Sequence, residues 1–305
     1  MTPRPQEDDI GLGVGHFRSE AARSRFLDRY RSAVAALPVH SDSRDVTTRF
    51  GTVRTYRFDG PAGRPVVLLP GRNASTPIWA PNLPSLMSHR TFYAVDLLGE
   101  PGLSVQRRPV CDADDQARWL DDLLGGLGLS SPHLMGVSFG GWAAANYAVR
   151  RPDRTASLVL VDPVMTFAPI PIRTMLAVAP MTIPGVPEAY RRRVLRWLSG
   201  GAEIDYADPI VALIAAGTAD FESRQPLPER FTANQLRALD VPVLALLAGR
   251  SVIHDATRAA VTARNFLRHS QIELWPEASH AINGEYPAQI AETAGAFWAD
   301  VDRRT

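Results

Sequence analysis

The chain alternates between short apolar runs and longer stretches in which apolar residues recur every three or four positions. Val66-Val67-Leu68-Leu69 is apolar throughout, as a strand covered on both faces of a parallel sheet must be. Residues 91–95, 133–135, 157–161, 241–247 and 271–275 read as further strands. Residues 46–50 and 52–58 alternate around Gly51 as the two arms of a hairpin. Helical spacing appears over 19–36, where Phe26, Leu27, Tyr30, Val34 and Leu37 recur in register and Pro38 stops the helix. It appears again over 112–127, with acidic residues in the first turn where the helix dipole favours them, and over 142–149, 256–267 and 287–300. Strands alternating with helices predict an α/β fold: a mostly parallel central sheet flanked by helices, with sites at the carboxyl ends of the strands. The rhythm breaks over 164–239, where proline-interrupted helical pieces at 172–179, 188–198 and 210–216 replace strands. This predicts an inserted helical cap, residues 46–163 and 240–305 forming the core, and 1–45 an N-terminal lead-in and helix.

One junction carries chemistry. The strand ending near Met135 runs through Gly136-Val137-Ser138-Phe139-Gly140-Gly141 into the helical pattern that starts at Trp142. Gly-x-Ser-x-Gly between a strand and a helix is a nucleophile elbow, in which a strained turn exposes the serine Oγ above the sheet. Such backbone costs about 1–3 kcal/mol, and Gly136 and Gly140 suit it because a Cβ at either place would crowd the strand or the helix. Gly11-Leu12-Gly13-Val14-Gly15, by contrast, follows no strand and reads as a flexible turn rather than a phosphate loop.

Composition narrows the function classes. The 305 residues carry a formal net charge of +1, which predicts no electrostatic hold on nucleic acid or on an anionic membrane. All 33 basic residues are arginine, so no lysine Schiff-base mechanism is open to the chain. Cys111 is the single cysteine, which excludes an internal disulfide and a thiolate metal cluster. His16, His40, His89, His133 and His269 show no metal-ligand spacing, so no metal is expected. The stretch from Met1 to Asp9 is polar and acidic, unlike a signal peptide, and no apolar run reaches the roughly 18–20 residues of a membrane span. A cytoplasmic location is expected. Arg191-Arg192-Arg193 with Arg196 reads as a solvated helix face.

Ser138 follows one predicted strand, a carboxylate can follow a later one, and His280 follows the last, in Pro276-Glu277-Ala278-Ser279-His280. The order serine, acid, histidine is that of the α/β-hydrolases. From about Val46 to Trp298 the chain resembles the capped α/β-hydrolase superfamily, through the elbow, residues 66–71, 96–104 and 278–287. Within it the chain looks like the bacterial carboxylesterase-type serine hydrolases. The resemblance implies a serine hydrolase that cleaves a small carboxylic ester or related acyl bond through an acyl-enzyme on Ser138, with His280 as general base and acid and no cofactor. Thioesterase, lactonase and C–C hydrolase chemistry on the same fold stays open, as does a non-catalytic binding protein. The resemblance also implies an oxyanion hole made by the backbone N–H groups of Phe139 and Arg72, although Pro70 stands where many relatives carry histidine.

The acid is left between candidates. Relatives usually carry it a few residues into the loop after the strand ending near Ala248, where Arg250-Ser251-Val252 offers none. Asp162 leaves the strand next after the elbow, a place certain dehalogenases of the superfamily use. Asp255 lies farther along the usual loop, directly before a helix that it could simply cap. A Ser138–His280 dyad without a carboxylate is the third possibility. His254 beside Asp255 reads as a loop histidine with no catalytic part. The apolar cap residues Met165, Phe167, Ile170, Ile172, Met175, Leu176 and Met181 suggest a hydrophobic acyl or alcohol group.

Overall fold

The structure is a computed structural model that describes residues 13–183, 185–201 and 205–304. The expectations for Met1–Asp9 and for Gly11 and Leu12 lie outside the described residues. The chain opens with β1 (His16–Phe17) and α1 (Glu20–Val34), which starts at Ser19, whose hydroxyl caps the Ala22 N–H. A hairpin of β2 (Asp42–Thr48) and β3 (Gly51–Phe58) leads to β4 (Val66–Leu69), the one-turn α2 (Leu83–Leu86), β5 (Phe92–Val95) and β6 (Val105–Gln106). Next come α3 (Ala113–Gly126), begun by the Asp112 cap on the N–H groups of Asp114 and Asp115, then β7 (His133–Val137), α4 (Phe139–Arg150) and β8 (Ser157–Val161).

The segment after β8 carries α5 (Ile172–Val178), α6 (Glu188–Leu198), α7 (Pro209–Asp220), β9 (Phe221–Glu222) and α8 (Ala233–Arg237). The chain closes with β10 (Val243–Ala248), α9 (Ala256–Phe266), β11 (Ser270–Trp275), the short α10 (Ile282–Glu285) and α11 (Pro287–Arg304). Arg192 pairs with Glu188 one turn away, and Arg192, Arg193 and Arg196 are exposed, as a solvated face requires.

The large sheet has the order β11-β10-β8-β7-β4-β5-β3-β2, with β6 beside β3. Its pairs from β11 to β5 are all parallel, and β3, β2 and β6 extend it antiparallel. Successive side chains of the inner strands go to opposite faces. Val67, Leu69, Leu134, Leu158, Leu160 and Leu247 meet Trp119, Leu123, Ala144 and Tyr147 of α3 and α4, and Ala260 of α9. On the other face, Val66, Leu68, Met135, Val159 and Leu246 meet Leu83 and Leu86 of α2 and Ile290 and Trp298 of α11. Each such side chain, buried fully, stabilises the fold by about 1.5–3 kcal/mol.

Two features depart from the sequence expectation. β2 begins at Asp42 rather than near Val46, because it is an edge strand whose charged residues face water, where Asp42 pairs with Arg44 and Asp45 with Arg54. The N-terminal helix is also tied to the segment between β8 and β10. Phe26, Tyr30 and Ala33 of α1 share a small core with Leu213 of α7, and β1 pairs antiparallel with β9.

β4 lies between β7 on one side and β5 on the other, so the chain changes direction across the sheet there. At such a switch point the loops leaving the two strands diverge and open a crevice at their carboxyl ends.

Candidate active site

Ser138 stands between β7 and α4 with φ 54° and ψ −115°, the strained turn expected of an elbow. The glycines on either side permit it. A Cβ on Gly136 would lie 2.2 Å from the Gly140 carbonyl oxygen, and one on Gly140 would lie 2.1 Å from that of Leu69. The serine backbone is pinned to its neighbours: its N–H donates to the Val161 carbonyl at 3.0 Å, and its own carbonyl accepts from Trp142 N–H at 3.1 Å. Among the described residues, the non-glycine positions with positive φ are Asn73, Ser138, Asp162 and Met165, and all four lie in the loops leaving β4, β7 and β8. Strain of this kind costs about 1–3 kcal/mol per residue and persists only where surrounding contacts fix it.

Those loops converge with the one after β11. Ser138 Oγ lies 3.0 Å from His280 Nε2, and His280 Nδ1 lies 2.7 Å from Asp162 Oδ2. An ionised carboxylate can only accept, so Nδ1 of His280 must carry hydrogen. Its Nε2 then presents a lone pair to the serine hydroxyl. Ser138 and His280 are partly exposed, whereas Asp162 is buried completely. The histidine loop is braced from behind: Glu285 accepts from the Ser279 N–H at 2.8 Å and from its hydroxyl at 2.5 Å.

Among the described residues, the Asp162 carboxylate takes four hydrogen bonds. Oδ1 accepts from Ala248 N–H at 3.0 Å and from His254 Nε2 at 2.8 Å; Oδ2 accepts from Ser251 Oγ at 2.7 Å and from His280 Nδ1. Burial alone would raise its pKa, but the charge and hydrogen bond of His254, and then those of His280, outweigh it and hold the acid well below the usual carboxylate range. It is therefore held as the carboxylate.

Of the two candidate acids, only Asp162 meets His280. Asp255 caps α9, accepting from Arg258 N–H at 2.9 Å. The structure also brings in residues that the sequence reading left out. His254, expected to be an idle loop histidine, is buried against the acid, and Ser251 stands beside it. Nothing in their spacing announces this, since the acid they serve lies on another strand.

Arg72 lies in the loop after β4, alongside the serine: a Cβ on the adjacent Gly71 would lie 3.5 Å from Ser138 Cβ. The Arg72 guanidinium sits 4.8 Å above the Phe139 ring. The loop is held by the buried Glu100, which accepts from the Asn73 N–H at 2.9 Å, approaches Arg72 Nε at 3.5 Å and accepts from Ser223 Oγ at 3.1 Å.

An elbow serine, a late histidine and a buried acid, on the loops of a switched parallel sheet, agree with the match of residues 66–293 to the model of an alpha/beta hydrolase family. The chain belongs to the alpha/beta hydrolase family. Hydrolases of this family resemble it over nearly the whole length. The chain is 28% identical over 280 residues to an uncharacterized carboxylesterase, nap, of Bacillus subtilis, covering 90% of this chain and 92% of that one. The crystal structure of naproxen esterase (carboxylesterase NP) from Bacillus subtilis superimposes with a TM-score of 0.82 at 28% identity, over 91% of this chain and 98% of that one. Carboxylesterase CesB (YbfK), also from Bacillus subtilis, gives a TM-score of 0.84 at 25% identity over the same shares.

The apolar residues of the segment between β8 and β10 divide. Phe167 and Met181 are buried, but Ile172, Met175 and Leu176 are exposed on α5. That helix turns its polar Thr174 inward instead, where the hydroxyl donates to the Val252 carbonyl at 2.5 Å. These three residues therefore cannot line an interior acyl pocket.

Proposed function

We propose that this protein is a serine esterase that cleaves a small carboxylic ester through an acyl-enzyme, with Ser138, His280 and Asp162 as its triad. The observation that carries the reading is the continuous chain from Ser138 Oγ through His280 to Asp162, with distances of 3.0 and 2.7 Å. The carboxylesterases it resembles support the choice of an ester.

A serine hydroxyl is a weak nucleophile near neutral pH. As Oγ attacks the ester carbonyl carbon, its proton passes to His280 Nε2, and the imidazolium that forms is stabilised by Asp162 across Nδ1. The carbonyl π pair moves onto oxygen, where the backbone N–H groups of Phe139 and Arg72 would receive it. Losing one such donor typically costs about 2.7–4 kcal/mol of transition-state stabilisation. Collapse breaks the bond to the alcohol, which leaves with the proton from Nε2. Water then attacks the acyl carbon, giving its proton to His280, and the acid departs as Ser138 recovers its hydrogen.

Residues 164–239 act as the cap in this reading, and its apolar composition, with Phe167 and Met181 buried, favours a hydrophobic group in the substrate. Cys111 is free and exposed, which suits a reducing compartment, and we assign the protein to the cytoplasm. The test is labelling by a fluorophosphonate probe together with turnover of p-nitrophenyl esters of increasing acyl length. Wild type should be labelled and Ser138→Ala should not. A wild-type protein that neither labels nor turns over any ester would be a binding protein on a hydrolase fold.

A further inference from the structure

The loop between β10 and α9 contributes no carboxylate to the triad; it contributes donors to a carboxylate that comes from β8. Ser251 takes Oδ2 of Asp162, the oxygen that also serves His280, whereas His254 takes Oδ1. The His254 side chain is 2% exposed, and its Nε2 is committed to the Asp162 carboxylate at 2.8 Å. A ring buried this deeply that donates to the carboxylate serving His280 is placed by that bond and not by packing alone.

We infer that His254 is a positioning residue for the triad, whose imidazole on Oδ1 holds the Asp162 carboxylate in the plane from which Oδ2 meets His280 Nδ1. The inference rests on the esterase reading above. Geometry makes the division of labour necessary. Asp162 has φ 44°, so its backbone does not favour this placement, and with Oδ2 shared between Ser251 and His280 the carboxylate is kept from rotating by the two donors on Oδ1. One of these, the Ala248 N–H, belongs to the strand and cannot adapt. His254 is the donor that closes the plane from the loop side.

His254 also bears on the charge. Because the carboxylate only accepts, Nε2 of His254 must carry hydrogen. The groups that face this ring are Asp162, His280 beyond it, and its neighbour Asp255. Burial works against its protonation, but Asp162 and then Asp255 hold its pKa above the ordinary histidine value. Whether neutral or charged, His254 draws on the same carboxylate charge that supports the His280 imidazolium. Removing it should leave that charge to the His280 imidazolium alone.

The experiment compares His254→Gln, whose amide nitrogen can reach the place of Nε2, with His254→Leu, which keeps bulk and loses the donor. Steady-state ester hydrolysis from pH 5 to 9, fluorophosphonate labelling rates and thermal melting are measured on both and on wild type. His254→Leu should lose about ten- to a hundredfold in kcat with KM within about threefold, as expected for a lost hydrogen bond to a charged group, and its acid limb should move to higher pH. His254→Gln should recover most of kcat. A His254→Leu protein with wild-type kcat and acid limb overturns the inference while leaving the esterase reading intact. So does a variant that only melts earlier. If both substitutions prevent folding, Ser251→Ala serves instead: loss of a donor from the other oxygen should lower kcat less than tenfold, and a loss as large as that of Asp162→Asn would refute the separate role given to Oδ1. Absence of ester turnover and of labelling in wild type would sink both readings together.

Discussion

Asp162→Asn separates the triad from its alternatives. The amide offers one oxygen and one NH2 in place of two acceptors, so two of the four donors around it lose their partner. Which two is decided by the donor that cannot change. Ala248 N–H is fixed in β10, so the amide oxygen must take the Oδ1 place, where it also satisfies His254. The NH2 then takes the Oδ2 place. Ser251 can rotate its hydroxyl and accept, but His280 can accept only by moving its hydrogen from Nδ1 to Nε2. That tautomer points N–H at Ser138 Oγ and cannot take its proton. Because the substitution leaves geometry intact and traps the wrong tautomer, kcat should fall by ~10^4, or about 5.4 kcal/mol in the barrier. Asp255→Asn should keep kcat within about twofold, since asparagine caps α9 as well as aspartate does. Steady-state turnover of p-nitrophenyl butyrate with active-site titration measures both, and circular dichroism and melting confirm that each variant is folded. An Asp162→Asn enzyme within tenfold of wild type would refute the argument. A loss of orders of magnitude in Asp255→Asn instead would move the role there.

Other residues carry sharp expectations. Glu100→Ala removes the acceptor of the Asn73 N–H and the partner of Arg72, so the loop bearing one proposed oxyanion donor should loosen; kcat should drop at least tenfold while KM changes little, measured with the same ester. Tyr30 donates to Asp96 at 2.7 Å in a buried cluster with Tyr56, so Tyr30→Phe should destabilise the protein by about 2 kcal/mol in urea denaturation while leaving kcat unchanged. His133 is buried completely, and burial, reinforced by Arg64 and Arg90 against the opposing Asp302, lowers its pKa to about 4. The unfolded chain therefore binds this proton first as pH falls through 6.5, and stability from this group should drop by about 2 kcal/mol between pH 7 and pH 5. Urea midpoints at the two pH values should differ in wild type and converge in His133→Gln.

The sequence by itself determined the elements and the elbow that carries the proposed nucleophile, because both are written in local patterns. β4, β8 and α6 lie where the spacing of apolar residues put them, and the elbow is legible because glycine is demanded at 136 and 140 by atoms four to five residues away or at the end of the adjoining strand. His280 was legible for a similar reason, as a histidine placed directly after the last strand. The acid was not. Asp162 and Asp255 each follow a strand or precede a helix, and each has a local reason to be there, so no spacing separates them. Only the closing of β10 against β8 puts Asp162 beneath His280 and turns Asp255 onto its own helix. The same closure brings Ser251 and His254, about ninety residues away in the chain, onto that carboxylate. It likewise took the folded chain to join α1 to α7 and to expose the apolar side of α5, because which side of a short helix is covered depends on what the rest of the chain brings against it.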